Sequence, residues 1–252
     1  MLLTAVIITK NEERNIARCL ESIKDVADEI VVVDSGSTDG TEKICAEYGV
    51  KFVHQDWLGY SGQKNFANSL ASNDWILSID ADEQLSEALK NSILELKLQQ
   101  IPDNKAFSLS RLTNYCGHWI HHCGWYPDRK IRLWNRKAGK WQGEIHETIE
   151  FTEDIDIQQL KGDLNHYSYY SIEDHIRQAD KFTTLTAAEA FKKGKRCNSI
   201  WKLRVKAAWK FIHDYFFALG LLDGYYGYVV CKISAFATFM KYSKLHELSK
   251  KQ

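Results

Sequence analysis

Carboxylate side chains stand where two apolar, strand-like runs of the sequence end. Asp34 closes a β-branched run, and Asp80 and Asp82 close the run that begins at Trp75. Ligands of open α/β sheets bind outside the carboxyl ends of the strands, so we expect these carboxylates to share one crevice. A single small residue separates Asp80 from Asp82, so both can reach a hard divalent cation, Mg²⁺ or Mn²⁺, directly or through water. The alternative is that Asp82 and Glu83 only open the next helix, whose N-terminus favours acidic residues.

The sequence lacks both standard phosphate-binding loops. Gly36 and Gly40 fit no GxGxxG pattern, and neither GxxxxGKS nor GxxxxGKT occurs anywhere in the chain. This absence disfavours dinucleotide redox chemistry and P-loop hydrolysis.

The loop between Tyr115 and Asp128 is rich in cysteine, histidine and aromatic residues. Cys116 and Cys123 enclose three histidines, a set that could supply a zinc tetrahedron. The spacing matches no common zinc pattern, so a ligand-binding loop is the favoured interpretation. Trp125 suits sugar binding through its apolar ring faces, although aromatic residues in such a loop are also ordinary core.

Alternating strand and helix patterns must position these residues over the first hundred positions. Apolar residues at helical spacing, such as Ile16, Leu20 and Ile23, predict helices between apolar runs that predict strands. The predicted strands are Ala5–Thr9, Glu29–Asp34, Val50–His54 and Trp75–Asp80. This βαβ series predicts an α/β fold with a Rossmann-like, mainly parallel central sheet flanked by helices.

The pattern changes after about residue 106. Residues 107–112 and 130–134 alternate with period two, which predicts strands with one solvated face. Beyond Ser171 helical spacing returns and continues to the end of the sequence. We therefore expect a ligand-binding and catalytic domain over residues 1–170 and a helical C-terminal extension, basic and aromatic, over residues 171–252.

Formal charges balance over the whole chain but not along it. The chain has 33 basic and 33 acidic residues, and this zero net charge gives no reason to expect nucleic acid as a partner. Residues 191–252 carry thirteen basic and three acidic side chains, a formal charge of +10, which leaves −10 on residues 1–190. The split also favours two functional parts.

Cysteine usage and the first residues indicate a reducing compartment. Six cysteines with no CxxC pair are too sparse for a disulfide framework. The apolar run after Met1 is too short for the hydrophobic region of a cleavable signal. We therefore expect a cytoplasmic protein with reduced thiols.

Four motifs within about eighty residues give the chain a resemblance to family 2 glycosyltransferases with the GT-A fold. In order, they are TKNE (9–12), VVDSGSTDG (32–40), QKN (63–65) and SIDADE (78–83). Four further motifs are similar to a narrower branch, the bacterial lipopolysaccharide core glycosyltransferases of the WaaE/KdtX type. These are GWYPD (124–128), IRL (131–133), GEIHE (143–147) and LNHYS (164–168).

The resemblance implies a hexosyltransferase that uses a nucleoside diphosphate sugar, most often a UDP-sugar, and a divalent cation, Mg²⁺ or Mn²⁺. The positions that match the family's nucleotide-sugar contacts are Thr9, Glu12, Asp34, Asp39, Lys64 and Asp80. The positions that match metal ligands are Asp82, Asp80 and, as a late ligand, His166. An acceptor or donor loop would include Trp125, Asp128, Arg132 and His146. A histidine such as His166 is, however, more often structural.

Inverting transfer needs a base that takes the proton of the acceptor hydroxyl as its oxygen attacks the anomeric carbon. Many relatives place this base in a Glu-Asp pair, which this sequence lacks in the expected region. Glu147 is our first candidate for the base and Glu144 the second. The alternative is that both only decorate a strand or a turn.

The resemblance also implies a lipopolysaccharide core or a related surface glycan as acceptor, including a lipid-linked one. The nearly uncharged stretch Tyr215–Cys231 is interrupted by Gly220, Gly224 and Gly227, so we predict no transmembrane segment there. The basic and aromatic composition of the C-terminal region suits a peripheral position at the inner face of the cytoplasmic membrane. The alternative is a helical subdomain that packs on the catalytic core or on a second subunit of a homo-oligomer.

The residues alone do not exclude two other classes of protein. A nucleotidyltransferase would also use an α/β sheet and paired aspartates, but no glycine-rich, Lys- or Arg-bearing triphosphate loop follows the first strand. A non-catalytic glycan-binding module would keep the aromatic residues without needing Asp80, Asp82 and Glu147.

Overall fold

The computed structural model describes residues 1–143, 147–197 and 199–250, apart from the side chains of Ile200 and Lys202. The chain divides into two compact units. The first unit comprises Met1–Arg111 and Asp128–Tyr167, and the second comprises Leu112–Pro127 and the chain from Ser168 onward. The expected functional division at residue 170 stays a prediction.

Strands and helices alternate in the first unit up to residue 97, except that one short strand directly follows another. They are β1 (Leu3–Thr9), α1 (Ile16–Ile23), β2 (Glu29–Asp34), α2 (Thr41–Glu47), β3 (Lys51–His54), α3 (Tyr60–Ser69), β4 (Trp75–Ser78), β5 (Glu83–Leu85) and α4 (Glu87–Lys97). The predicted βαβ series is confirmed, and each predicted strand is present with ends that differ by no more than two residues.

The rest of the chain is first mainly strands and then mainly helices. The strands are β6 (Lys105–Tyr115), β7 (His118–Ile120), β8 (Asp128–Asn135), β9 (Gly139–Gln142), β10 (Thr148–Phe151) and β11 (Asp156–Tyr169). The helices are α5 (Ile172–Lys192), α6 (Ile200–Ile212) and α7 (Gly224–Lys250), with a π-helical turn at His213–Phe217 and a 3-10 turn at Gly220–Asp223 between the last two. The predicted α/β fold with a helical C-terminal extension is confirmed.

The central sheet has a parallel and an antiparallel half. Its strand order is β3-β2-β1-β4-β8-β6-β11-β5. β1 pairs in parallel with β2 and β4, and β2 with β3, whereas β8 runs antiparallel to β4 and β6, and β5 antiparallel to β11. The parallel half is the one that the βαβ pattern predicts. The antiparallel half arises because β6 and β8 are joined without a crossover helix, which a parallel pair would need.

The register of the parallel half aligns the ends of its strands. Thr9 of β1 lies opposite Asp34 of β2, and Asp34 lies opposite His54 of β3. Further along the sheet, Ser78 at the end of β4 pairs with Val6 of β1. The loops that follow these strands therefore leave the sheet at one edge.

Strand side chains alternate between two apolar clusters. In β1, Ala5 and Ile7 belong to the cluster that contains Leu20 of α1, whereas Val6 belongs to the cluster that contains Ala67 of α3 and Trp134 of β8. Successive side chains of a strand point to opposite faces of the sheet. Helices on both faces thus bury the uninterrupted apolar strands, and this burial fixes the positions of the strand ends.

The second unit is held together by aromatic packing and by helix contacts. The ring of the fully buried Tyr115 lies 5.3 Å from that of His175 and 6.0 Å from that of Trp125, measured between centroids. The hydroxyl of Ser171 accepts a hydrogen bond from the backbone N–H of Asp174 and so caps α5. In the part of the chain that is described, no single helix is long and apolar enough to span a bilayer. Leu203–Phe217 and Gly220–Lys250 meet the length and composition criteria only as a pair, bent by 73°.

Candidate active site

The buried carboxylate of Asp34 shapes the turn that follows β2. Its Oδ2 atom accepts hydrogen bonds from the backbone N–H groups of Gly36 and Ser37, at 2.9 and 2.8 Å. Its Oδ1 atom accepts a bond of 2.5 Å from the hydroxyl of Ser37. Asp34 is fully buried, and one edge of its carboxylate also faces Nδ1 of His54 at 3.4 Å. The aspartate therefore presets the backbone of the turn at the edge of the sheet.

Hydrogen bonds join the loop after β1 to the loop after β2. The backbone N–H of Asn11 donates to the hydroxyl of Ser37, and the N–H of Thr38 donates back to Oδ1 of Asn11, at 2.7 and 2.8 Å. The N–H of Glu12 donates to the hydroxyl of Thr41 at 2.8 Å, and that hydroxyl donates to Oδ1 of Asp39 at 2.6 Å. The two loops thus form one connected rim beside the strand ends.

Thr9 and Glu12 lie on this rim, and each carries a polar group whose burial is not fully compensated by hydrogen bonds within the described protein. The hydroxyl of Thr9 is buried and has no hydrogen-bond partner among the described residues. The pKa of Glu12 is raised to about 7, mainly by burial and also by the charges of Asp82, Asp39 and Asp80, against the lowering effect of a hydrogen bond from Asn15. The carboxylates of Glu12, Asp39, Asp80 and Asp82 therefore share one electrostatic environment.

Replacing Glu12 with glutamine is expected to remove a pH-dependent loss of stability. Its pKa rises from 4.5 to about 7 on folding, so between these values the folded protein retains a proton that the unfolded chain has released. The free energy of unfolding therefore falls as pH rises through this window, by about 3 kcal/mol in wild type and not in Glu12→Gln.

Urea titrations of both proteins at pH 4.5, 5.5, 7 and 8 without divalent cations measure this difference. Glu47→Gln, an exposed glutamate of α2, serves as the matched control and should follow wild type. A Glu12→Gln variant with the same pH dependence as wild type would contradict the environment described for Glu12.

The QKN motif of α3 connects three parts of the first unit. The buried Gln63 donates from Nε2 to the hydroxyl of Ser35 at 3.0 Å and so reaches the turn after β2. Asn65 exchanges two hydrogen bonds of 2.9 Å with the backbone of Trp141 in β9. Lys64 between them is buried and extends its ammonium group to Oδ1 of Asp80 at 3.1 Å. One turn of helix thereby fixes a lysine against the aspartate that follows β4.

A buried ion cluster surrounds Asp80. The guanidinium group of Arg132, on β8, donates from Nη2 to Oδ2 of Asp80 and to Oε1 of Glu83, both at 2.7 Å. Glu83 also accepts the backbone N–H of Asp80 at 2.9 Å. Burial raises the pKa of Asp80, but the charges of Arg132 and Lys64 outweigh it and hold that pKa well below its usual value. Asp80 is therefore ionised, and two cations balance its charge.

Asp82 pairs with His166 rather than with a cation of this cluster. Oδ2 of Asp82 lies 3.1 Å from Nε2 of His166, and the backbone of Asp82 accepts the N–H of Tyr167 at 2.9 Å. Nδ1 of His166 is buried and has no hydrogen-bond partner among the described residues. Burial raises the pKa of Asp82, but His166 outweighs burial and the pKa is lowered. The carboxylate of Asp82 therefore stays charged. Its side chain is 24% exposed.

The residues of this pair are of types that bind a divalent cation. Oδ2 of Asp82 and Nε2 of His166 are 3.1 Å apart, and both atoms belong to groups that can ligate a divalent cation. Among the described residues no group of three or more His, Cys, Asp or Glu side chains is arranged to hold a metal. Mg²⁺ commonly takes one or two protein ligands and completes its shell with waters and phosphates. A Mg²⁺ or Mn²⁺ ion would be held here by Asp82 and His166, and Asp80, which pairs with Lys64 and Arg132, stays a predicted further ligand.

Of the two candidates for the base, only Glu147 lies within the described residues. Glu144 lies outside the described residues, as does His146 of the expected acceptor or donor loop. Glu147 is half-buried and immediately precedes β10. Burial raises the pKa of Tyr60 at the start of α3, and the charges of Glu147 and Asp80 raise it further. Glu147 therefore lies within electrostatic range of the same part of the first unit as Asp80, and its role as base stays a prediction.

The other members of the expected acceptor or donor loop lie in different surroundings. Asp128 accepts a 2.6 Å hydrogen bond from Arg111 and faces Lys130 at 3.1 Å. Arg132 is 3% exposed and belongs to the ion cluster around Asp80. Trp125 belongs to the second unit, where its ring lies 5.6 Å from Tyr169. Of this set, only Asp128 and Arg132 are side chains of the described first unit.

The cysteine and histidine loop of the second unit has a structural explanation. The buried carboxylate of Asp223 accepts a hydrogen bond of 2.8 Å from the backbone N–H of His122. Its other oxygen lies 2.8 Å from Nδ1 of the same histidine. The thiol of Cys123 lies 3.6 Å from the carbonyl oxygen of Gly227 at the start of α7. These bonds tie the loop to α7 and the turn before it, and the described residues of the loop form no zinc tetrahedron.

Sequence reasoning missed two members of the ion cluster, Glu83 and Arg111. Glu83 is 1% exposed, and Nη1 of Arg111 lies 3.6 Å from its Oε1 atom. A signal was present in the sequence, since Arg111 and Arg132 each stand in a strand among residues that the fold buries. Charged side chains at such positions are rarely buried unless paired, so two arginines on neighbouring strands predict carboxylate partners.

Comparisons with known proteins agree with these motifs. The sequence profile described as glycosyl transferase family 2 matches residues 4–143. An uncharacterized glycosyltransferase of Rickettsia typhi (strain ATCC VR-144 / Wilmington) is 36% identical over 99% of this chain and 88% of its own length. The lipopolysaccharide core biosynthesis glycosyltransferase LpsC of Rhizobium meliloti (strain 1021) is 31% identical over 97% of this chain and 92% of its own.

Solved structures are more distant. S. aureus TarS 1-349 in complex with UDP is similar with a TM-score of 0.39 and 16% identity, over 73% of this chain and 64% of that one. A likeness of this extent does not bear on the ligands of this protein.

The resemblance that the four N-terminal motifs indicate is therefore confirmed, as is the expectation of a glycosyltransferase over a nucleotidyltransferase or a glycan-binding module. Because the profile covers more than half of the sequence and the relatives nearly all of it, the chain belongs to glycosyl transferase family 2.

Proposed function

We propose that this glycosyltransferase moves a sugar, with inversion, from a nucleoside diphosphate sugar to a lipopolysaccharide core or a related surface glycan, and that it requires Mg²⁺ or Mn²⁺. The observation that carries the proposal is the pair of Asp82 and His166, whose aspartate acts electrostatically on Glu12 in the loop after β1. A UDP-sugar is the proposed donor. The acceptor class is supported by the relative LpsC, which is named a lipopolysaccharide core biosynthesis glycosyltransferase.

The connected rim of the first unit would hold the nucleoside. Thr9, Glu12, Asp34 and Asp39 lie on or beside the two joined loops, and the orphaned hydroxyl of Thr9 offers a hydrogen-bonding group to a ligand. Asp34 would act mainly by fixing the turn, because both of its oxygens already accept hydrogen bonds from that turn.

The ion cluster would prepare the site for a diphosphate. Asp80 holds the ammonium group of Lys64 and the guanidinium group of Arg132, so neither cation needs to be reorganised when a negatively charged donor enters. When bound by Asp82 and His166, a divalent cation would neutralise charge that develops on the leaving diphosphate.

In the proposed reaction, the acceptor hydroxyl oxygen attacks the anomeric carbon while the bond from that carbon to the diphosphate oxygen breaks. The carboxylate of Glu147 takes the proton of the acceptor hydroxyl, and the nucleoside diphosphate leaves with the bonding electron pair. Glu147 suits this role because it is half-buried and close enough for its charge to act on Tyr60 of α3.

We propose that the enzyme works in the cytoplasm, peripherally at the inner face of the cytoplasmic membrane. A lipid-linked acceptor would be presented at that surface. The formal charge of +10 on residues 191–252 supports this position, since the cytoplasmic leaflet is anionic.

Product analysis tests the function directly. The protein is incubated with UDP-, GDP-, CDP- and dTDP-sugars, Mn²⁺ or Mg²⁺, and deep-core lipopolysaccharide acceptors truncated at successive sugars. We expect one donor to release its nucleoside diphosphate in step with a mass increase of one sugar on the acceptor. Release of pyrophosphate, or turnover that is unchanged in EDTA, would contradict the proposal.

A further inference from the structure

Large apolar side chains are exposed on α6 and on the two turns after it. Six of them define what we call the apolar patch: Trp201, Val205, Trp209, Phe216, Phe217 and Leu222. Each is between 53% and 74% exposed. Large apolar side chains exposed close together on a surface commonly mark a contact site.

The spacing of these residues indicates one continuous face. Trp201, Val205 and Trp209 recur every four residues, so they form a stripe along α6. The π-helical turn that follows carries Phe216 and Phe217. The apolar stripe of an amphipathic helix normally faces a core, but here the described residues of the chain leave it exposed.

Positive charge borders the apolar patch. A cleft of ≈ 360 Å³ is lined by Lys206, Trp209, Lys210, His213, Thr238 and Tyr242. Lys206 donates to the hydroxyl of Tyr242 at 2.7 Å, and Lys210 lies 2.9 Å from Oδ2 of the buried Asp214. Both ammonium groups thus belong to the lining of the cleft that Trp209 also lines. Lys210 pairs there with a carboxylate, whereas Lys206 bonds to an uncharged hydroxyl.

We propose that the apolar patch inserts into the surface of an anionic phospholipid bilayer and that the cleft receives a phosphate headgroup. Aromatic rings next to lysines are the combination that favours the boundary between headgroups and acyl chains. A bilayer explains this surface better than a second copy of the chain does. A contact between two copies would bring together two regions that each carry a formal charge of +10.

This inference deepens the proposed membrane location and rests on the proposed function only for the identity of the acceptor that the membrane presents. Insertion along α6 would place a lipid-linked acceptor next to the enzyme without a spanning helix. Lipid binding and nucleotide binding are separate measurements, so either can fail while the other succeeds.

Vesicle sedimentation with the full chain tests the inference. We expect wild type to bind phosphatidylglycerol–phosphatidylethanolamine vesicles at least about tenfold more tightly than phosphatidylcholine vesicles, and less tightly as salt rises. Trp209→Ser combined with Phe217→Ser should weaken binding at least about tenfold, because two inserted rings are lost. Lys206→Gln should weaken binding to the anionic vesicles about fivefold and leave binding to phosphatidylcholine unchanged.

Leu98→Ser is the matched control, because Leu98 is 89% exposed but belongs to the first unit. It should bind vesicles like wild type. Circular dichroism must show that all variants are folded, and stabilisation by nucleotide should persist in the patch variants. Absence of vesicle binding by wild type, or undiminished binding by the double variant, would overturn the inference. So would sedimentation velocity showing that wild type is a dimer that the double variant dissociates, in the absence of lipid binding.

Discussion

Replacing Asp82 with asparagine is expected to lower the rate of sugar transfer by about a thousandfold, the effect of losing about 4 kcal/mol of transition-state stabilisation. The carboxylate of Asp82 is the ionised, partly exposed partner of His166, and in the proposed mechanism it helps to hold the cation. Asparagine retains the shape of the side chain and one oxygen acceptor but removes the negative charge. The rate of nucleoside diphosphate release with saturating acceptor and Mn²⁺ measures this effect.

The control for this change is Glu87→Gln. Glu87 is 84% exposed in its side chain and pairs only weakly with Lys90 at the start of α4, so its loss should leave transfer within twofold of wild type. Thermal unfolding should show that Asp82→Asn is folded, because that substitution keeps the same volume. If Asp82→Asn retains more than a tenth of the wild-type rate, the residue does not have the proposed role.

Replacing Arg132 with methionine is expected to lower the free energy of unfolding by about 3–5 kcal/mol, because the carboxylates that pair with Arg132 inside the protein lose this cation. The Arg132 guanidinium group contacts both Asp80 and Glu83 at 2.7 Å and is 3% exposed. Methionine fills much of the space of the arginine stem but leaves Glu83 without its closest cation. Urea unfolding at pH 7 measures the loss.

Two comparison variants make this prediction specific. Arg177→Met removes an arginine that is 69% exposed and pairs with Glu173, and it should change the free energy of unfolding by less than about 1 kcal/mol. Adding Glu83→Gln to Arg132→Met should recover part of the lost stability, since the carboxylate left unpaired is then neutral. A loss below about 1 kcal/mol in Arg132→Met, or no recovery in the double variant, would show that the cluster is not energetically coupled.

The parallel half of the fold was predictable because its sequence pattern is local. β-branched runs such as Glu29–Asp34 have no polar interruption, and the helices between the runs show regular apolar spacing. The same pattern puts Asp34 and the residues after β4 at the ends of strands, so topology alone brings their loops to one edge. The antiparallel half was less predictable, since the pairing of β8 with β4 joins segments more than fifty residues apart.

The ion cluster could not be derived from spacing because its members come from four separate elements. Lys64 lies on α3, Arg132 on β8, Arg111 on β6 and Glu83 on β5. Which arginine meets which carboxylate depends on the order of strands in the sheet, and the sequence does not specify that order directly. Arg132 was therefore expected in an acceptor or donor loop, whereas it is a buried partner of Asp80.

The sequence also could not predict which side chains of the C-terminal helices are exposed. Composition indicates a basic and aromatic region, but it does not distinguish rings that pack in a core from rings that face solvent. Tyr226 and Trp209 illustrate the difference, since the first packs against the buried cluster that contains Tyr115 and the second is 57% exposed. Only the packing of the helices decides which aromatic residues can reach a partner.

Nucleotide binding measured by thermal unfolding, with and without Mn²⁺ or Mg²⁺, tests the central claim most directly. A ligand that binds only the folded protein at a hundred times its Kd stabilises it by about 2.7 kcal/mol, which corresponds to a rise in Tm of about 5–10 °C for a chain of this size. We predict that a nucleoside diphosphate, UDP first among them, produces this rise in wild type only with the cation present, and that Asp82→Asn loses it. A folded wild-type protein whose Tm responds to no nucleoside diphosphate, with or without metal, would contradict the nucleotide-sugar site.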